Sequence, residues 1–129
     1  MGGVCIFVNK NLNFRNIDIR KFLHEQDIEA GAVKLSVNSL NICILSIYRA
    51  PSGNFALFLD KLEMILNLLH NNNKQLIICG DININSLVEN KKKKNPLLDS
   101  LLASYNLKST VYFPTRIQNT SAPPLTIHL

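Results

Sequence analysis

A chain of 129 residues, 47% apolar and 18% charged, suffices for one domain that buries roughly two-thirds of its unfolded surface and is too apolar for a disordered tail. The formal charge of +5 favours polyanionic partners, and no apolar stretch approaches the ~20 residues a membrane-spanning helix needs. Cys5, Cys43 and Cys79 are odd in number, far apart and set in apolar runs, which argues against a zinc cage or a disulfide framework and for buried thiols in a reducing compartment. Residues 1–8 lack the basic region of a signal peptide, and Ile6 and Phe7 stand where a myristoylation motif wants Ser or Thr. The expected location is intracellular, nuclear or cytoplasmic.

In chain order, Val4 to Val8 is a continuous apolar run that reads as a strand buried on both faces. Asn9 to Gln26 is mixed and shows no period. Ala32 to Val37 alternates, Asn38-Ser39 turns, and Leu40 to Tyr48 follows, which predicts an antiparallel hairpin. After the loop of residues 50–54, Phe55, Phe58, Leu59, Leu62, Leu66 and Leu69 recur at three- and four-residue spacing. They predict a helix with Asn54 as its N-cap and Asn71-Asn72-Asn73 as its end. Lys74 to Cys79 returns as a strand, so the strand, helix and strand form a βαβ unit with parallel strands. A polar loop runs to Asn95. Asn95-Pro96 then caps a helix carrying Leu97, Leu98, Leu101 and Leu102. The tail from Lys108 is strand-like but broken by Pro114, Pro123 and Pro124.

Two stretches can carry chemistry. In Ile77-Ile78-Cys79-Gly80-Asp81-Ile82-Asn83, a strand meets a glycine, with a carboxylate and a carboxamide two positions apart. Alternation along extended backbone would turn Asp81 and Asn83 to one side, at the carboxyl end of a strand where open α/β sheets hold ligands. An acceptor-only carboxylate beside an amide suits an attacking water and a phosphate oxygen, or a hard metal. A plain strand-to-turn junction uses the same residue types. The second stretch is Tyr48-Arg49-Ala50-Pro51-Ser52, at the same end of the strand that opens the βαβ unit. Parallel pairing would bring the Tyr48 phenol and the Asp81 carboxylate to one sheet edge, where a phenol can orient a non-bridging phosphate oxygen. A packed ring with a wet hydroxyl is the alternative. Lys91 to Lys94 could track DNA phosphates, though such runs are commonly solvated loops. Arg49 and Arg116 could reach phosphates or pair with local carboxylates. His24 and His70 have no partner at metal-ligand spacing.

Taken in order, Gly-Gly-Val-x-Ile-Phe-Val, Tyr-Arg-x-Pro-Ser-Gly-Asn, the amphipathic helix, Ile-Ile-Cys-Gly-Asp-Ile-Asn, the Leu-rich helix and Phe113-Pro114-Thr115-Arg116 resemble one family along essentially the whole chain. It is the endonuclease/exonuclease/phosphatase superfamily, in the form of the apurinic-type endonuclease domain of non-LTR (LINE-like) retrotransposons. The resemblance implies an α/β fold, a DNase I-like four-layered sandwich with mixed sheets and flanking helices, here partial. Residues 1–129 would be a single incomplete domain. It also implies a magnesium-dependent phosphodiesterase site, DNA as partner, and a reverse-transcriptase domain in a parent polyprotein. Residue by residue, Asp81 matches the water-activating acid and weak metal ligand, Asn83 the residue holding water or a phosphate oxygen, and Tyr48 the phosphate-contacting tyrosine. Thr115 is the equivalent of a hydroxyl residue near the DNA phosphate, with Arg49 and Arg116 as substrate-binding candidates.

The departures bear on activity. The family's metal-binding Glu precedes the Gly-Gly-Val strand, and its closing Ser-Asp-His motif would follow Leu129, so both ends look cut. Ile127 stands where an aliphatic-Asp-x-aliphatic motif has its carboxylate, with His128 after it. The expectation is a nicking endonuclease fragment, inactive as it stands. The alternatives are a non-enzymatic DNA-binding remnant, or another phosphodiesterase of the superfamily acting on an inositol phosphate or sphingomyelin.

Overall fold

A computed structural model describes residues 3–70, 75–83, 96–109, 116–117, 120–121 and 125–128. The chain forms β1 (Asn13–Ile17), the hairpin β2 (Glu29–Val37) and β3 (Leu40–Tyr48), then α1 (Phe55–Leu69), β4 (Gln75–Asp81) and α2 (Pro96–Ser104). Four short strands follow: β5 (Lys108–Ser109), β6 (Arg116–Ile117), β7 (Thr120–Ser121) and β8 (Leu125–His128). Among the described residues, one mixed sheet has the order β1-β2-β3-β4-β8-β5, and β6 pairs only with β7. The fold is α/β, as expected.

The hairpin turns at Asn38 and Ser39, both at positive φ, and β2 and β3 pair antiparallel over their full length. The β3–α1–β4 unit is parallel and in register, from Ile42 beside Gln75 to Tyr48 beside Asp81. Helix α1 matches the residues expected from its apolar spacing. Its N-cap is Asn54, whose side chain accepts from the Leu57 N–H at 3.1 Å, and caps of this kind contribute about 1 kcal/mol. The helix buries Phe58, Leu62, Ile65, Leu66 and Leu69 against Cys43, Leu45, Ile47, Leu76 and Ile78. Burial of each such large side chain contributes about 1.5–3 kcal/mol. Leu98 and Leu102 of α2 join the same core; the expected cap Asn95 lies outside the described residues.

Three expectations are corrected. Val4 to Val8 is not a strand: it has no ladder assignment, and its side chains alternate between half-buried (Val4, Ile6, Val8) and exposed (Cys5, Phe7), with Phe7 92% exposed. Val4 and Ile6 lie against Gly31 of β2, so the run covers a sheet face on one side only. The mixed stretch after it contains an edge strand, β1, whose exposed Asn-rich face gave no period to read. The thiols are not uniformly buried: Cys43 is buried, Cys79 half-buried and Cys5 exposed. No helix among the described residues is long and apolar enough to cross a membrane.

Candidate active-site edge

The carboxyl ends of β3 and β4 meet because the crossover through α1 makes them parallel neighbours, and the register sets Tyr48 directly beside Asp81. Residues opposite one another on adjacent strands share a sheet face. On β3, Ile42, Ile44, Ser46 and Tyr48 are half-buried while Cys43, Leu45 and Ile47 are buried under α1. On β4, Ile77, Cys79 and Asp81 alternate in the same way with buried Leu76 and Ile78. Tyr48 and Asp81 therefore sit on the face turned away from the helix.

Gly80 does not end the strand, which continues through Asp81. It lies beside Ile47 at φ 144°, and a Cβ there would run into the Ile47 carbonyl. Only glycine tolerates both conditions, so the Gly-Asp junction is a close backbone approach that delivers Asp81 to the Tyr48 position. Beyond it, the reason expected for the pairing of Asp81 with Asn83 changes. Asn83 is at φ 51°, out of extended backbone, in the left-handed conformation that Asn tolerates. Its N–H donates to Asp81 Oδ1 at 2.9 Å, and its Nδ2 donates to the Arg49 carbonyl at 2.6 Å. A turn, not strand alternation, sets the Asn83 backbone N–H on the Asp81 carboxylate, while the Asn83 amide turns to Arg49.

Arg49 is buried, 7% exposed. Its Nε donates to the Ile82 carbonyl at 2.9 Å, Nη1 to the Gly53 carbonyl at 2.8 Å and Nη2 to the Asn83 carbonyl at 3.0 Å. The Phe55 ring lies 5.2 Å from the guanidinium carbon. Burial pulls the guanidinium below its ordinary pKa, while the charges of Asp27 and Asp81 oppose that shift. The side chain expected to reach for a phosphate is thus engaged with backbone inside the protein.

The turn of residues 24–28 closes the other side of this edge. The Gln26 carbonyl accepts from the Ala50 N–H at 2.9 Å, and Asp27 Oδ1 accepts from the Asn54 N–H at 2.6 Å. His24 Nδ1 stands 2.6 Å from Asp27 Oδ2, so its partner is a local carboxylate. His70 caps the end of α1 and meets the Tyr105 ring edge-on at 5.3 Å. Glu29, absent from the sequence-derived site, pairs in register with Tyr48, which gives a row Glu29–Tyr48–Asp81 across three strands. The missed signal was the start of β2, three residues ahead of the alternating run. Thr115 and Lys91 to Lys94 lie outside the described residues; Arg116 is placed in β6 by its backbone pairing with Ser121.

A magnesium site needs several oxygen ligands, usually including one or two carboxylates. Among the described residues no three His, Cys, Asp or Glu side chains converge to hold a metal, so the described residues do not by themselves complete such a site.

Over 93% of its length the chain superposes on 57% of the endonuclease domain of TRAS1, a telomere-specific non-LTR retrotransposon, with a TM-score of 0.64 at 18% identity. The chain shares its α/β fold with that domain. The human Nocturnin catalytic domain, solved with a bound sulfate anion, matches 92% of this chain over 49% of its own, with a TM-score of 0.58 at 14% identity. An endonuclease/exonuclease/phosphatase family protein from Bacteroides thetaiotaomicron matches 78% of this chain over 40% of its own, with a TM-score of 0.50 at 14% identity. The chain thus spans about half the length of the solved structures it resembles. No family model and no curated protein matches its sequence.

Proposed function

We propose that this chain is part of a DNA-nicking phosphodiesterase domain of the non-LTR retrotransposon type, with the β3–β4 edge as its half of the active site. The observation that carries the reading is the in-register pair Tyr48–Asp81 with Asn83 bonded to Asp81, at the carboxyl edge of a sheet shared with the TRAS1 endonuclease domain. In this reading Asp81 accepts a proton from an attacking water, Asn83 orients that water or a phosphate oxygen, and Tyr48 donates to a non-bridging oxygen as charge develops. Thr115 adds a hydroxyl to the phosphate site. The family's magnesium would need carboxylates besides Asp81, and Ile127 can supply none. A reverse-transcriptase domain would belong to the same parent polyprotein, and its DNA-binding setting would be intracellular.

Residues 1–129 would accordingly bind DNA weakly without cutting it, through Lys91 to Lys94 and Arg116. The test incubates this chain with supercoiled plasmid and magnesium and measures duplex binding over a salt series. No nicking is expected, with binding that weakens by a slope of about −0.9 per neutralised phosphate. Robust nicking abolished by Asp81→Ala would show that another acid completes the site. Absence of any salt-sensitive binding would remove the DNA reading.

A further inference from the structure

We infer that Arg49 is a positioning residue, whose guanidinium holds the Ile82–Asn83 backbone in the left-handed turn that presents Asp81 and Asn83. This rests on the phosphodiesterase reading of that edge and gives Arg49 a role other than phosphate contact. Asn83 at φ 51° turns the chain out of the β4 ladder, and carbonyls that leave a ladder inside a protein need other donors. Arg49 supplies them to Ile82 at 2.9 Å and Asn83 at 3.0 Å through two different nitrogens. Its third nitrogen reaches Gly53, two residues before α1 begins, at 2.8 Å.

The contact is reciprocal. The Arg49 N–H donates to the Asp81 carbonyl at 3.1 Å, and Asn83 Nδ2 donates to the Arg49 carbonyl at 2.6 Å. The same residue thus fixes the backbone on both sides of Ile82 and the side-chain amide of Asn83. Three divergent carbonyls suit a planar fork of donors and not the single ammonium of a lysine. The Phe55 ring lies 5.2 Å from the guanidinium carbon, Arg49 is buried, and all three guanidinium nitrogens donate to backbone carbonyls, so its donors face the protein and not a ligand. A phosphate-binding arginine would carry its donors at the surface.

The experiment uses the 15N-labelled 129-residue chain, its Arg49→Lys variant and a short DNA duplex. In the unmodified chain the Arg49 Nε–H should give a resolved, slowly exchanging signal. In Arg49→Lys, amide exchange at Ile82 and Asn83 should rise by about tenfold or more, with Leu45 and Ile78 unchanged. Duplex affinity should stay within about twofold, while the shift of the Asn83 side-chain amide on adding DNA is lost. A rapidly exchanging Nε–H in the unmodified chain would overturn the inference even if the variant failed to fold. So would equal exchange gains at Leu45 and Ile78, which mark general destabilisation. A drop in affinity together with a salt slope smaller by about one would mark Arg49 as a phosphate ligand instead. Absence of duplex binding by the unmodified chain would remove the functional reading, and the Nε–H and exchange measurements would still decide the clamp.

Discussion

The two faces of the parallel β3–β4 pair are built from the same two strands and do different work. Beneath α1, Cys43, Leu45, Ile47, Leu76 and Ile78 meet five helix side chains in one closed core. On the other face Ile42, Ile44, Ser46, Ile77 and Cys79 are only half-buried, and the row ends at Tyr48 and Asp81. Alternation along a strand divides packing from chemistry residue by residue, so the stabilising face can be held constant while polar groups gather at the end of the other. The faces meet through the backbone at Gly80 and at the turn after Asp81, where one can disturb the other.

The sharpest test of this division uses neighbours on β3. Leu45 is 0% exposed under α1 and Ile44 is half-buried opposite it. Leu45→Ala should cost about 2–5 kcal/mol in denaturant unfolding and Ile44→Ala less than half as much. Equal losses would mean that the two faces are packed alike.

An effect of comparable size is expected where the faces connect. Gly80→Ala forces an L side chain into a φ of 144° and against the Ile47 carbonyl. The conformation alone should cost about 1–3 kcal/mol, with the collision adding to it, and amide shifts should spread to both Tyr48 and Asp81. Stability and spectra like those of the unmodified chain would show that the close approach of β3 and β4 is not needed.

The smallest effect lies away from both faces. Asp18 accepts from the Arg20 side chain, and that bond with the Arg20 N–H holds its carboxyl at about 2 instead of 3.8. A carboxyl whose folded pKa is depressed stabilises the fold above its unfolded value and loses that contribution as pH falls through the folded one. Unfolding curves of the chain and of Asp18→Asn should therefore differ most above pH 3.8 and converge as the pH falls to about 2. The pair is exposed, so the separation should be slight. A difference that grows on acidification would contradict the sign.

How far the fold was legible follows from how local each signal is. The periodicity of Phe55 to Leu69 and the Asn54 cap determined α1, since helix spacing and N-caps act within a few residues. The alternation around Asn38-Ser39 determined the hairpin, and its order with the helix determined the parallel β3–β4 pair. Tyr48, Asp81 and Asn83 were readable as candidates because their residue types sit at strand ends in a resembling order. Tertiary structure decided the rest. Val4 to Val8 carries a strand's composition but found no ladder, because pairing needs a partner that composition cannot specify. Arg49 reads in isolation as a surface cation, yet two carbonyls from the distant Ile82–Asn83 turn, the nearby Gly53 carbonyl and the Phe55 ring make it a buried clamp. Glu29 reaches Tyr48 only through antiparallel pairing across 19 positions of chain. Local sequence sets period, turn and cap, whereas the destination of a charged side chain depends on which distant backbone groups are left needing a partner.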